Sequence, residues 1–227
     1  MAKIDNRKIV STLNRADTVR AKTVDLLESC SQEVFDRPSS PKWINGEKGQ
    51  WSLGEHADHI LLVENYIRRE IIEPLVMKSV AGEKPFIRKT LADFNLSPSF
   101  LPRVLLGPVE KMFDISNRIT RYFVPRSLTE YVFRYSKFPA STPEPWAPTY
   151  GRLHAPVMSE LKTSLDQLRA LFEQHPDANY DGMIFEHTLI GRHTAIQLLR
   201  IVIIHEEWHQ DRIQEVLRDC SRAGNAP

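Results

Sequence analysis

Apolar residues recur at helical spacing in two blocks of the chain, one on each side of a long middle stretch. In the first block Ile9, Leu13, Ala16, Val24, Leu27 and Val34 share one side of a helical projection, with charges between them, up to Arg37-Pro38. This predicts a first helix. A loop rich in Ser, Lys and Gly follows. Trp51-Ser52-Leu53-Gly54-Glu55 then offers a capping box, in which Ser52 and Glu55 each satisfy the other's backbone amide at a helix start. The second helix is expected to run from there to about Pro74.

In the second block Pro156 suits a first helical position, and Met158, Leu161, Leu165, Leu168 and Phe172 form a stripe ending near His175-Pro176. Thr194 and Gln197 make another capping box behind Gly191. They open a fourth helix whose Leu198, Val202, His205, His209 and Val216 project from one side, ending near Cys220.

Between the blocks lie Pro85, Pro98, Pro102, Pro108, Pro125, Pro139, Pro143, Pro145 and Pro148, with Pro156 at the end of the stretch. Proline lacks a backbone donor and clashes with the preceding helical turn, so long helices belong outside this stretch. The reading is an all-α protein: one domain over residues 1–227, a four-helix bundle with a long crossover insertion at about 78–155 between helices two and three. A connection of that length lets these two helices run parallel. Within it, Val109, Met112, Phe113, Ile119 and Phe123 suggest a shorter amphipathic helix, and residues 125–150 read as irregular. Too many prolines are present for extensive strand pairing, so no sheet of consequence is expected. There is no internal repeat and no low-complexity tract.

Charge narrows the partners. With 30 Lys+Arg against 29 Asp+Glu the formal net charge is +1, so the sequence carries no field to gather nucleic acid or anionic lipid, and a small-molecule substrate is the expected partner. Homodimer formation stays open. The composition, 41% hydrophobic and 26% charged, is that of a globular protein and excludes disorder for most of the chain. Leu198 to Ile204, the longest apolar run, is interrupted by Arg200 and falls far short of the ~20 residues that span a bilayer. The opening MAKIDNRKIV lacks the apolar core of a secretory signal, so a cytoplasmic location is expected. Cys30 and Cys220 are too few for a disulfide framework or a cysteine zinc knuckle, and no basic neighbourhood marks either as reactive.

The densest chemistry is His205-Glu206-Glu207-Trp208-His209. Positions four apart on a helix point nearly the same way, so both imidazoles leave one face and can reach one ion. A lone histidine in an apolar stripe is ordinarily a core residue bonded to a carbonyl. Two stacked in one stripe are costly to bury unpaired, and a metal accounts for them more simply. The same five residues spell H-E-x-x-H, the zincin signature, with Glu206 as general base. A zincin draws its third ligand from downstream, however, and only residues 210–227 remain. The metzincin extension, moreover, would require glycine and histidine where Arg212 and Glu215 stand. The spelling is coincidental. An upstream third ligand points to helix two, where His56 and His59 both lie near the side marked by Ile60, Val63 and Ile67, and periodicity does not choose between them.

Three segments taken together, Trp51 to His59, His187-Thr188-Leu189-Ile190-Gly191 and His205 to Ile213, resemble the DinB/YfiT-like superfamily of metal-binding four-helix bundles. In that family a Trp-Ser opening is followed eight positions later by a ligand histidine, and the last helix carries H-x-x-x-H. The resemblance implies His59, His205 and His209 as metal ligands, with His56 a neighbour. It departs at Thr188, where the family usually has proline, which touches the shape of that turn and not the ligands. Three neutral imidazoles leave a divalent ion an open position, the arrangement of a catalytic site. Zinc or nickel suits such ligands best, with iron or manganese as further options. The family's description as metal-dependent hydrolases implies activation of water. Its similarity to bacillithiol S-transferases and mycothiol-dependent isomerases implies a low-molecular-weight thiol as cosubstrate. A non-catalytic helical protein that binds metal or a partner is the alternative from a different class.

Glu206 flanks the stripe as a candidate base, with a solvated helix face as the plainer account. Glu55 lies one turn before His59 and could orient it, although capping explains Glu55 equally well. Asp58 and Glu207 are expected at the surface and Trp208 in the core. His154, His175, His187 and His193 are expected in ordinary polar roles in loops or at helix ends.

Overall fold

A computed structural model describes residues 7–38, 51–90, 146–187 and 191–224. The shorter helix expected after Pro108, most of the irregular stretch expected over 125–150, and the turn at Thr188 lie outside the described residues. In chain order the elements are α1 (Arg7–Glu28), α2 (Gln32–Asp36), α3 (Leu53–Ile67), a π-helical turn (Arg68–Ile72), α4 (Glu73–Val80), β1 (Phe86–Lys89), α5 (His154–Gln174), a 3-10 turn (Tyr180–Gly182), β2 (Ile184–His187), β3 (Gly191–Thr194) and α6 (Ala195–Gly224).

Helix α1 packs on α5 and α6, and α3 packs on the same two, so the four long helices close into a ring. Two apolar clusters fill its ends. One gathers Ile9 and Leu13 from α1, Ile71 to Val76 after α3, Leu168 and Phe172 from α5, and Ala195 to Leu199 from α6. The other gathers Leu27, Leu53 to Leu61, Val157 to Leu161, Ile213 and Val216. Helices α3 and α5 therefore start at the same end and run parallel, as the long crossover permits, while α1 and α6 run the opposite way.

Both capping boxes form. Ser52 N–H donates to Glu55 Oε2 at 2.8 Å and Glu55 N–H to Ser52 Oγ at 3.2 Å. Thr194 N–H donates to Gln197 Oε1 at 2.9 Å and Gln197 N–H to Thr194 Oγ1 at 3.2 Å. Glu55 is thus committed to its cap.

Two helix boundaries need correction. The first helix does not continue to Pro38: α1 stops at Glu28, Ser31 caps α2, and the redirected chain buries Phe35 against Gly54 of α3. Nor does the second helix end at Pro74. The hydrogen-bond ladder slips to the wider π register over Arg68–Ile72, and Pro74 falls in the first turn of α4, directly after that slip. A small sheet is present as well, in the order β1-β2-β3. Strand β1, from the insertion, pairs parallel with β2, and β2 pairs antiparallel with β3. Phe185 and His187 alternate inward along β2 with half-buried Ile184 and Glu186, so the hairpin covers one end of the bundle; the short strands need few donors and no proline. His187 and His193 consequently lie buried on strands instead of in loops. Among the described residues no helix is long and apolar enough to cross a membrane.

Candidate metal centre

Between the two apolar clusters runs a polar layer with members from all four long helices. Arg20 of α1 donates from Nε and Nη2 to Glu206 of α6 at 2.8 and 3.0 Å, and from Nη2 to Glu64 of α3 at 2.5 Å. Its Nη1 donates to Ser164 Oγ at 2.5 Å and to the Leu161 carbonyl at 2.9 Å, both on α5. Thr23 Oγ1 donates to Glu206 Oε1 at 2.7 Å, and Gln210 donates to Thr23 at 2.9 Å and to the Val19 carbonyl at 2.6 Å. Burial opposes charge on Arg20, but the two carboxylates prevail and hold it protonated above the usual arginine range. Glu206 is therefore a buried carboxylate whose oxygens are taken by Arg20 and Thr23.

One helical step of 100° separates Glu206 from His205, so the ion layer and the histidines occupy different sides of α6. His205 and His209 face α3. There His59 Nε2 lies 3.1 Å from His205 Nε2, and His205 Nε2 lies 3.1 Å from His209 Nε2. Single nitrogen atoms of the three rings fall within 4.8 Å of one another, a group able to hold a metal ion. His59 Nδ1 is 2.6 Å from the Trp146 carbonyl, and His209 Nδ1 is 2.9 Å from His56 Nδ1. Trp51 closes the group, its ring nearly parallel to that of His209 at 5.9 Å and 4.8 Å from that of His59.

The proton count asks for a cation. Desolvation pushes His59 down to about 4 and His205 to about 3, and carries His209 well below the ordinary histidine value, so all three rings are neutral at pH 7. A carbonyl only accepts, so the one hydrogen of His59 sits on Nδ1 and its Nε2 is a bare lone pair. No placement of protons on His205 and His209 then gives both 3.1 Å contacts a full hydrogen bond. A divalent ion among the three Nε2 atoms would satisfy every lone pair at once. His59, whose Nδ1 is bound to a backbone carbonyl, has the orientation that ligand histidines adopt.

His56, on the same helix, is buried, and desolvation lowers it to about 3. Its Nδ1 contacts a ring of the group and does not join it. Asp58, expected at the surface, is instead buried: its Oδ2 accepts from Thr149 N–H at 2.8 Å, and its Oδ1 accepts from Arg152. Glu207 pairs with Arg15 at 2.8 Å. Trp208, expected in the core, is exposed, with the Arg212 guanidinium over its ring. His154 opens α5 and its Nε2 contacts the Leu27 carbonyl at 2.9 Å. Cys30 and Cys220 are free, half-buried thiols. Arg20, Glu64 and the Trp146 carbonyl were missing from the sequence reading. Arg20 had a signal, since it sits among Ala16, Val19, Thr23 and Leu27 on the inward side of α1.

A ring of four helices with three convergent imidazoles at its side defines a helical-bundle protein with a metal-binding type of site. The model of the DinB superfamily matches residues 15–213, and the chain belongs to that superfamily. No curated protein and no solved structure gives a significant match.

Proposed function

We propose that the protein is a metal-dependent enzyme in which His59, His205 and His209 hold a divalent ion, zinc or nickel best matching three imidazoles, with a coordination position left for a small nucleophile. The observation that carries this reading is the convergence of three Nε2 atoms at 3.1 Å contacts while a carbonyl pins the far side of His59. When bound, such an ion supplies Lewis acidity, bringing water or a thiol to its ionised form near neutral pH. The protein's own part is to keep the imidazoles neutral by burial, to fix the His59 ring through Trp146, and to wall the group with Trp51.

Between the two nucleophiles one observation leans toward thiol. Among the described residues no carboxylate stands with the three imidazoles, and Glu206 is bound by Arg20. A thiol ionised by direct coordination needs no separate base, whereas metal-assisted hydrolysis usually employs one. The proposed reaction is therefore transfer of a low-molecular-weight thiol to a small electrophile, with hydrolysis by activated water as the second reading.

Cobalt substitution tests both. The visible spectrum of the cobalt protein is expected to change when a small thiol is added, increasingly so as the pH rises through neutrality, because the bound thiol must lose its proton. A response to hydroxamate or carboxylate with none to thiol would favour hydrolysis. A spectrum that no ligand alters would remove the basis for either enzyme and leave a closed metal-binding site.

A further inference from the structure

The insertion ends in a short strap, residues 146–153, and two neighbouring side chains of α3 grip it. His59 Nδ1–H donates to the carbonyl of Trp146 at 2.6 Å. Asp58, one residue earlier, accepts the Thr149 N–H at 2.8 Å and the guanidinium of Arg152. Pro148 lies between the two gripped positions and restricts the backbone linking them. The far end is tied to other elements: Arg152 Nη2 donates to Glu160 of α5 at 2.5 Å, and the Arg152 carbonyl accepts from Gln32 of α2 at 3.2 Å. A surface helix position would leave an aspartate in water, but Asp58 is only 2% exposed. Burying a carboxylate is costly unless it is paired, so the pairing with the strap is what makes this position tolerable for an acid.

We propose that Asp58 is a positioning residue that couples docking of the 146–153 strap to metal binding at the three-histidine site. The inference rests on the metal-site reading above. By holding Thr149 and Arg152, Asp58 keeps the Trp146 carbonyl against His59 Nδ1. That contact selects the tautomer whose Nε2 lone pair faces His205. Coupling of this kind is reciprocal: an ion that takes the Nε2 lone pair enforces the Nδ1–H tautomer and so tightens the strap. Loading of the site is in this way communicated to the end of the insertion that leads into α5.

The test compares the wild type with Asp58→Ala, Asp58→Asn and Arg152→Ala. Zinc affinity is measured by competition with a chromophoric chelator, and the tautomer of His59 by nitrogen NMR of the ring in metal-free protein. Asp58→Ala is expected to lose ~10–100-fold in zinc affinity, the cost typical of an outer partner of a metal ligand, while keeping its stoichiometry. It should also lose the fixed Nδ1–H state of His59. Asp58→Asn retains an oxygen for Thr149 and should lose less. Amide exchange at Thr149 should slow when zinc is added to wild type and respond less in Asp58→Ala. If Asp58→Ala does not fold, Arg152→Ala, which leaves α3 untouched, should still show a smaller loss of affinity and partial loosening of His59. Unchanged zinc affinity together with an unchanged His59 tautomer in the folded variants would overturn the coupling. A wild type that binds no zinc would instead refute the metal reading, and the His59 tautomer in the metal-free proteins would still decide whether Asp58 acts on that ring.

Discussion

Replacing Arg20 with methionine should be among the most damaging single changes available to this fold. Arg20, Glu64 and Glu206 have side chains only 3–5% exposed, and the guanidinium donates to groups on α3, α5 and α6. Methionine fills much of the volume and supplies no donor. It would leave two carboxylates facing each other in the bundle centre, with Ser164 Oγ and the Leu161 carbonyl also deprived of their donor. Breaking a buried ion pair by deleting one partner costs about 3–5 kcal/mol, and two stranded carboxylates place Arg20→Met at or above the upper end. Set against the roughly 5–15 kcal/mol that stabilises a typical domain, this would unfold a large part of the population.

The assay is urea unfolding followed by circular dichroism, with the metal-free form used throughout so that ligand linkage does not enter. The same experiment on Arg20→Met combined with Glu64→Gln and Glu206→Gln separates stranded charge from lost packing. Removing both negative charges should restore a substantial part of the loss, because apolar or neutral replacements of a buried ionic cluster are commonly tolerated. A loss below about 1 kcal/mol in Arg20→Met, the scale of an exposed pair, would refute the central ion layer as a structural element. A triple variant no more stable than the single one would show that packing of the arginine stem, and not charge, is what the site requires.

Stoichiometric zinc binding, measured by elemental analysis of untagged protein, should be abolished by His59→Ala, His205→Ala or His209→Ala. His56→Ala should keep the stoichiometry and lose affinity, by roughly tenfold, through the freed Nδ1 of His209. In the metal-free protein the urea midpoint should fall as the pH drops below about 6.5, because His56, His59 and His205 titrate at about 3 to 4 in the folded state and nearer 6.5 when unfolded. The unfolded chain thus binds more protons in that window, and stability present above it is lost progressively on acidification. A midpoint that did not move between pH 7 and pH 5, apart from carboxylate effects calibrated in a His-to-Gln variant, would argue against buried neutral rings. Gly54→Ala should destabilise by about 1–3 kcal/mol in thermal unfolding despite alanine's better helix propensity, since its Cβ would lie 2.8 Å from Phe35 Cε1. Pairing it with Phe35→Leu should recover part of that loss.

The four long helices were legible because each buries a continuous stripe, and their starts because two capping boxes are local devices spelled within four residues. The breaks were harder. Ser31 ends α1's run by capping α2, a signal present in the sequence but masked by Val34, which extends the apolar pattern of α1 in phase. Pro74 reads as a stop only if the ladder keeps α register, and the slip to π register over Arg68–Ile72 is a cooperative choice that no single residue announces. Strand β1 depends on a pairing with residues almost one hundred positions later, so local pattern carries little of it. Of the site, the histidine pair on α6 was visible from spacing, and the family resemblance named His59. Asp58 and Glu206 were misjudged for one shared reason: a charged side chain on a helix is read as solvated unless its partner is known, and here the partners, Arg152 and Arg20, come from distant segments.

Those two misjudged carboxylates explain how a bundle can place three neutral imidazoles together without collapsing around them. Glu206 follows His205 immediately, and its bonds to Arg20 and Thr23 fix the rotation of α6 about its own axis. Asp58 precedes His59 immediately, and its bonds to Thr149 and Arg152 fix what covers α3. Each metal-site helix thus carries, one residue from a candidate ligand, an acid bound to a distant arginine. An apolar residue at either place would permit the helix to slide or turn by small steps at little cost, since hydrophobic burial is non-directional. A buried charged hydrogen bond is lost if its partner moves by about an ångström. Exchange of the Arg20 ion layer for well-packed apolar side chains should therefore leave the global stability nearly unchanged while loosening the histidine group. Variants carrying Glu206→Leu with Arg20→Met and Glu64→Leu should unfold close to wild type yet bind zinc more weakly. Wild-type zinc affinity in such a variant would show that the imidazoles are placed by apolar packing alone.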